Sequence, residues 1–298
     1  MTKNSKKILT KSIILAMLIA LCCAATFIQV KMPTGDMVHL GNFVMIISAW
    51  LLGGIEGGIV GSLGMGLYDL IFYTSKPSTI IRTFVLKFLI GFIVGFVFRL
   101  ILKKKANTKH LLVGSSIFFL ALFGISLGFF IIGDKTGLSF NTGLISKVSN
   151  FIGSGKTVKI SLYIPIFSAI FMLGMLFAII FQRKLSSRSK AALFAVTLAI
   201  LINIVGEFIL RWLLEGIMVS DFSTSLTVAT SKIPGSLITG FVSVFLAVLI
   251  YEPVYLGVKN ISIFKDDTVD FDNNVESTDE EVKNEEITSE SNIKTINN

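Results

Sequence analysis

The sequence predicts an all-α polytopic membrane protein with about eight transmembrane helices. Three observations carry that reading. Of 298 residues, 53% are hydrophobic and 15% charged, where soluble domains carry about 25% charged residues. The apolar residues, 26 phenylalanines among them, are gathered into blocks that approach or exceed the roughly 20 residues a helix needs to cross a bilayer core. The basic residues fall between those blocks in a pattern that selects an even number of spans.

The apolar runs lie at about 12–30, 38–52, 54–73, 82–102, 111–132, 161–181, 191–214 and 233–257. The first follows the basic start KNSKKILTK at 3–11, and no clear small-residue cleavage site follows Ala25. We therefore expect a retained helix rather than a cleaved signal. Cys22 and Cys23 are adjacent inside this run, a spacing that suits buried apolar thiols and neither a disulfide nor a zinc site. Runs two and three are separated only by Gly53, Gly54 and Glu56. A single helix over 38–73 is too long for one span, so a tight turn is expected there.

Lys3, Lys6, Lys7 and Lys11 precede run one, and Lys103, Lys104, Lys105 and Lys109 follow run four. Arg183, Lys184, Arg188 and Lys190 follow run six, and Lys259 and Lys265 follow run eight. With eight spans all four clusters share one side, which the positive-inside tendency makes cytoplasmic, with both termini inside. Segments 31–37, 74–81, 133–160 and 215–232 then face outward. The net charge of +8 hides a division. From Lys265 the chain holds 3 basic and 11 acidic residues, and the rest holds 24 and 8. The basic excess is explained by its placement at the membrane surface and calls for no nucleic acid. We expect 1–264 to be a transmembrane helical domain and 265–298 a disordered acidic cytoplasmic tail, because the tail has almost no large apolar residues to offset the entropy of ordering.

GSGKT at 153–157 is an incomplete phosphate-loop pattern, since Asn150 stands where a glycine is required and no strand precedes it. No cofactor is implied. His39 and His110, the only two histidines, are far apart and make no metal site. No paired nucleophile and base is identifiable, so no enzymatic reaction is expected.

Residues 53–69 read GGIEGGIVGSLGMGLYD, with seven glycines in seventeen positions and an aspartate at the end. Lipid enforces backbone hydrogen bonding, so glycines here serve close helix contacts without breaking the helix. Asp69 either caps the next helix, pairs with Arg82 or Lys87, or touches a solute. Arg82 is expected almost at the surface, Lys87 nearer a pocket, and Arg99 at the inner end, snorkelling toward headgroups. Asn203, Glu207 and Arg211 are spaced four apart, so they share a helix face that should turn to the bundle interior. They either form an internal salt bridge or line a pocket. Trp212 is an interface anchor or a pocket wall. Lys232 faces the outer mouth, with Pro234 expected in the first turn of the last span. His39 and Asn42 open the second span at an outer mouth. Ala16, Ala20 and Ala24 form a smooth stripe on the first helix, either an internal contact or a docking surface.

Several stretches together resemble the substrate-binding S component of energy-coupling factor (ECF) vitamin transporters. They are A16-M-L-I-A20-L-C-C-A24, V38-H-L-G-N42, the glycine-rich stretch ending at Asp69, and R82-T-F-V-L-K87-F-L-I-G91-F-I-V-G95. V205-G-E-F and K232-I-P-G235-S extend the likeness, which covers about 8–102 and 190–258. The resemblance implies a six-helix S-component-like bundle, here with an inserted helical hairpin at 111–181. It implies capture of a vitamin or related micronutrient outside a prokaryotic cell membrane. Uptake then requires a transmembrane coupling subunit, docked on Ala16, Ala20 and Ala24, and two cytoplasmic ATPases, with lipid around the bundle. The solute-binding residues expected are His39, Asn42, Asp69, Arg82, Lys87, Asn203, Glu207, Arg211 and Lys232. The alternative is an autonomous secondary transporter of a small polar solute, driven by an ion gradient.

Overall fold

The computed structural model describes residues 3–31, 37–103, 187–259 and 261, with scattered helical residues at 110, within 113–124 and within 169–180. The predicted hairpin at 111–181 lies largely outside the described residues, and the GSGKT segment and the acidic tail wholly so.

The described chain is helical except for one short hairpin. Helix α1 is Lys3–Phe27, strands β1 and β2 are Gln29–Lys31 and Met37–His39, α2 is Gly41–Leu52, and α3 is Gly54–Phe72. Then follow α4 at Pro77–Lys103, α5 at Ser187–Val219 and α6 at Phe222–Val258. Among the described residues five helical segments are long and apolar enough to cross a membrane: Ser5–Phe27, Gly54–Phe72, Pro77–Lys103, Arg188–Val219 and Gly235–Val258. Helix α2 has 12 residues, about 18 Å at 1.5 Å per residue, so the second predicted run does not span alone. The described residues group into two units, one within Ser12–Glu252 and one drawn from Met1–Lys11 and Pro253–Asn298.

Three local expectations change. The end of run one and the start of run two form an antiparallel ladder, Gln29 opposite His39 and Lys31 opposite Met37. Segment 215–232 is helical apart from Ser220 and Asp221, so Pro234 lies inside α6 and not in a first turn, removing one intrahelical donor. Asp221 starts α6. Its carboxylate accepts the Ser223 and Thr224 backbone N–H groups at 3.0 and 3.1 Å and the Thr224 hydroxyl, which makes it a helix N-cap. Those bonds, the Thr224 hydroxyl first, hold its pKa below the usual carboxylate value.

The α2–α3 break falls at Gly53, as the sequence requires. Its φ of 112° is a conformation L side chains rarely adopt. Arg99, expected at the inner end of α4, donates through Nη2 to the Leu52 carbonyl at 2.5 Å, satisfying the end of α2.

The glycines of α3 each meet a different neighbour. Gly57 lies against Ala49 and Gly61 against Met45 on α2, while Gly64 lies against Cys22 on α1. Gly54 meets the Phe92 carbonyl of α4. Helix α4 answers with its own glycines: a methyl on Gly91 would lie 2.5 Å from the Gly57 carbonyl, and one on Gly95 2.6 Å from the Gly54 nitrogen. Backbone therefore touches backbone across α3 and α4, which only small residues allow. At the far end of these helices Trp50, Phe98 and Tyr251 close an aromatic cluster joining α2, α4 and α6, with centroids 4.8 to 6.2 Å apart.

Because Gly91 faces rigid backbone, Gly91→Ala should destabilise the detergent-solubilised protein by about 1–3 kcal/mol through overpacking. Gly257, with open space around it, is the control: alanine there should be neutral or stabilising by up to about 1 kcal/mol. Thermal unfolding of the two variants checks the contrast.

Candidate functional site

At one end of the Ser12–Glu252 unit, α3, α4, α5, α6 and the hairpin enclose a cavity of about 480 Å³. That falls in the range of small-molecule sites. Eight charged side chains line it: Asp69, Lys76, Arg82, Lys87, Glu207, Arg211, Glu215 and Lys232.

Helix α4 supplies a buried stripe in which Arg82 and Thr83 sit one turn before Leu86 and Lys87. Arg82 is 6% exposed, contrary to the expectation of a near-surface position. Its burial follows from partners on α5. Arg82 Nε is 3.0 Å from Glu207 Oε2, and its Nη1 is 3.8 Å from Glu215. Arg211 approaches the same two acids at 3.5 and 3.6 Å. The expected Glu207–Arg211 pair is thus half of a closed set of two acids and two guanidinium groups. Charges buried in an apolar bundle persist when matched in this way.

Lys87 takes a different partner. Its Nζ donates to Asn203 Oδ1 at 3.1 Å, and Asn203 Nδ2 donates to the Ser236 carbonyl at 3.0 Å. The chain of bonds ties α4, α5 and α6 together. Asp69 accepts the Thr83 hydroxyl at 2.5 Å. Of the roles left open for it, pairing across to α4 is realised through Thr83, not through an ion pair with Arg82 or Lys87.

The hairpin forms the remaining wall. Gln29 Nε2 donates to the Tyr68 hydroxyl at 2.8 Å and Tyr73 donates to Met37 Sδ at 3.3 Å, while the Thr239 hydroxyl, which donates to the Gly235 carbonyl at 2.9 Å, lies 3.4 Å from the Met37 carbonyl. His39 is half-buried there, outside the helices, with its Nδ1 shielded. Burial first, then the charge of Lys87, pushes its pKa down to about 3, so its ring is neutral at physiological pH.

Eight of the nine solute-site residues named from sequence line this one cavity: His39, Asp69, Arg82, Lys87, Asn203, Glu207, Arg211 and Lys232. Asn42 does not. It borders a separate hollow of about 10 Å³, shared with Asn203. Trp212 does not line this cavity; its indole donates to the Phe222 carbonyl at 3.2 Å across the α5–α6 turn. Sequence reasoning missed Gln29, Tyr68, Thr83, Ser236 and Thr239. It also left Glu215 in a loop, although 215 continues the four-residue spacing of 203, 207 and 211. On α1, Ala16, Ala20 and Ala24 all face outward, which excludes an internal contact within the described residues.

Residues 6–152, just under half of the chain, match the family model described as ECF-type riboflavin transporter, S component. An S-component family domain therefore covers part of this chain. S components are non-catalytic, substrate-binding membrane proteins, in keeping with a transmembrane transport role and no enzyme activity. No curated protein and no solved structure matches the chain.

Two outcomes check the site. Arg82→Met leaves Glu207 and Glu215 with one guanidinium between them, and should cost about 3–5 kcal/mol in unfolding measurements, the penalty for breaking a buried ion set. His39, with its folded pKa depressed, contributes stability that is complete above its unfolded value near 6.5 and declines as pH falls toward about 3. His39→Asn should flatten the loss of stability in that window, read as melting temperature against pH.

Proposed function

We propose that this protein is the membrane-embedded capture component for ATP-driven uptake of a vitamin or related micronutrient. It acts with a transmembrane coupling subunit and two cytoplasmic ATPases. The observation that carries this reading is the polar, charged cavity set into an otherwise apolar bundle whose N-terminal part matches an S component. The description of the matched family makes riboflavin, with its phosphorylated form, the first solute to test.

The arrangement of charge supports the direction of capture. The cavity lies at the N-terminal end of α4 and the C-terminal half of α5, whereas Lys103 ends α4 and Arg188 and Lys190 begin α5. By the positive-inside tendency the basic end is cytoplasmic and the cavity opens outward. Both termini are then inside. We take His39, Asp69, Arg82, Lys87, Asn203, Glu207, Arg211 and Lys232 as the solute contacts, with Asn42 behind them. The outward Ala16, Ala20 and Ala24 stripe is the docking surface for the coupling subunit, because small residues let a partner helix approach closely. Binding alone moves nothing uphill, so partners must supply the energy.

Replacing Ala20 with leucine should lower coupled uptake in proteoliposomes holding all subunits by at least about tenfold, while solute affinity of the purified chain stays within about twofold. Accumulation by the chain alone, driven by a proton or sodium gradient, would reject this reading in favour of a secondary transporter.

A further inference from the structure

The charges around the cavity do not balance. Glu207 and Glu215 are each shared between Arg82 and Arg211, so those four groups neutralise one another. Outside that set the wall carries Asp69 and, on α4 and the turn before it, Lys76 and Lys87. Lys76 is exposed and solvated. Lys87 is not: it is 6% exposed, and among the described residues it makes no ion pair within 4 Å. Its one hydrogen-bond partner there is the neutral carboxamide oxygen of Asn203. An ammonium has three donors; here one is bonded, the carboxylates of Glu207 and Asp69 act on it only from beyond 4 Å, and burying the other two donors unsatisfied is costly.

Two more buried polar atoms at the same cavity lack a partner among the described residues. They are Gln29 Oε1 and His39 Nδ1, both at the hairpin wall. Around Lys87 the wall therefore offers a cation, and at the hairpin it offers neutral polar atoms. The space between is about 480 Å³, well beyond what an inorganic ion fills and suited to a vitamin-sized organic molecule.

We infer that the solute of this chain is an organic anion whose carboxylate or phosphate sits against Lys87, with uncharged polar groups of the same molecule turned to Gln29 and His39. Lys87 is thus the specificity-determining residue, selecting the acid form of a micronutrient over its uncharged counterpart. The inference rests on the capture reading and narrows it.

The test uses pairs of compounds that differ only in the acid group: riboflavin 5′-phosphate and riboflavin, pantothenate and pantothenol, nicotinate and nicotinamide. Binding to the purified full-length protein in detergent is measured by calorimetry, with folding of every variant confirmed by its melting curve. For the pair that binds, the anionic member should bind at least tenfold more tightly. Lys87→Gln should remove that preference by weakening the anion alone, and Lys87→Arg should keep it. If the uncharged member binds as well or better, or if Lys87→Gln weakens both members equally, the inference is overturned and capture of a solute stands. If the folded protein binds no member of any pair, both the inference and the capture reading are overturned.

Discussion

The backbone contact between α3 and α4 is the constraint on which the rest of the structure depends. Gly91 and Gly95 of α4 lie on Gly57, Gly58 and Gly54 of α3 with no side chain between them. Such proximity fixes the rotation of α4, because only its glycine face fits. Phe84 and Phe88 then cover Gly66 and Gly58 from beside that face, and the stripe of Arg82, Lys87, Ile90 and Val94 is buried away from lipid. The same contact carries Asp69 of α3 to the hydroxyl of Thr83. The glycine-rich stretch and its terminal aspartate are therefore one device: the glycines bring two helices together, and the acid reads out where they end.

The opposite side of α4 is governed by charge. An apolar bundle tolerates ionised groups only where they are matched, and α5 provides the match through positions spaced four apart. Glu207, Arg211 and Glu215 complete the set begun by Arg82, and Asn203 meets Lys87 one turn deeper. Asn203 also binds α6 through Ser236, while Thr239 of α6 lies beside Met37 of the hairpin. Polar bonds thus run between α4, α5 and α6 and from α3 to the hairpin around the cavity.

Much of this was legible in the sequence, and the reasons for the misses are physical. Periodicity located the helices because lipid-spanning segments are long and continuous, and Gly53 marked the α2–α3 turn because no other residue accepts its φ. The four-residue ladder on α5 announced a buried polar face. The hairpin was hidden because its strands, Gln29–Lys31 and Met37–His39, are three residues each, too short for an alternating pattern to show. The start of α6 was hidden because its first turns, rich in serine and threonine, look like a connecting loop. Asp221 followed by Ser223 and Thr224 was the available signal, an N-cap pattern. The depth of Arg82 could not be read locally at all, since its partners lie more than a hundred positions along the chain. Asn42 was misplaced for a related reason: it follows His39 closely in sequence, yet the turn into α2 sends it to a different hollow.

The cavity is built from two stretches of chain with different standing. His39, Asp69, Arg82 and Lys87 fall inside the residues that match the S-component model, whereas Asn203, Glu207, Arg211 and Lys232 fall beyond them. The matched half contributes Asp69 and three of the cations, Lys76, Arg82 and Lys87. The unmatched half contributes the acids that neutralise Arg82 and the amide that meets Lys87. Had α5 offered a carboxylate at 203 instead of an amide, every buried cation on α4 would be matched within the protein and the cavity would suit an uncharged solute. Asparagine at that position gives the ammonium a neutral partner and leaves the carboxylates of Glu207 and Asp69 to act on it from beyond 4 Å. The likeness over 6–152 thus covers only half of the cavity's polar wall, and the partners of Arg82 and Lys87 come from α5.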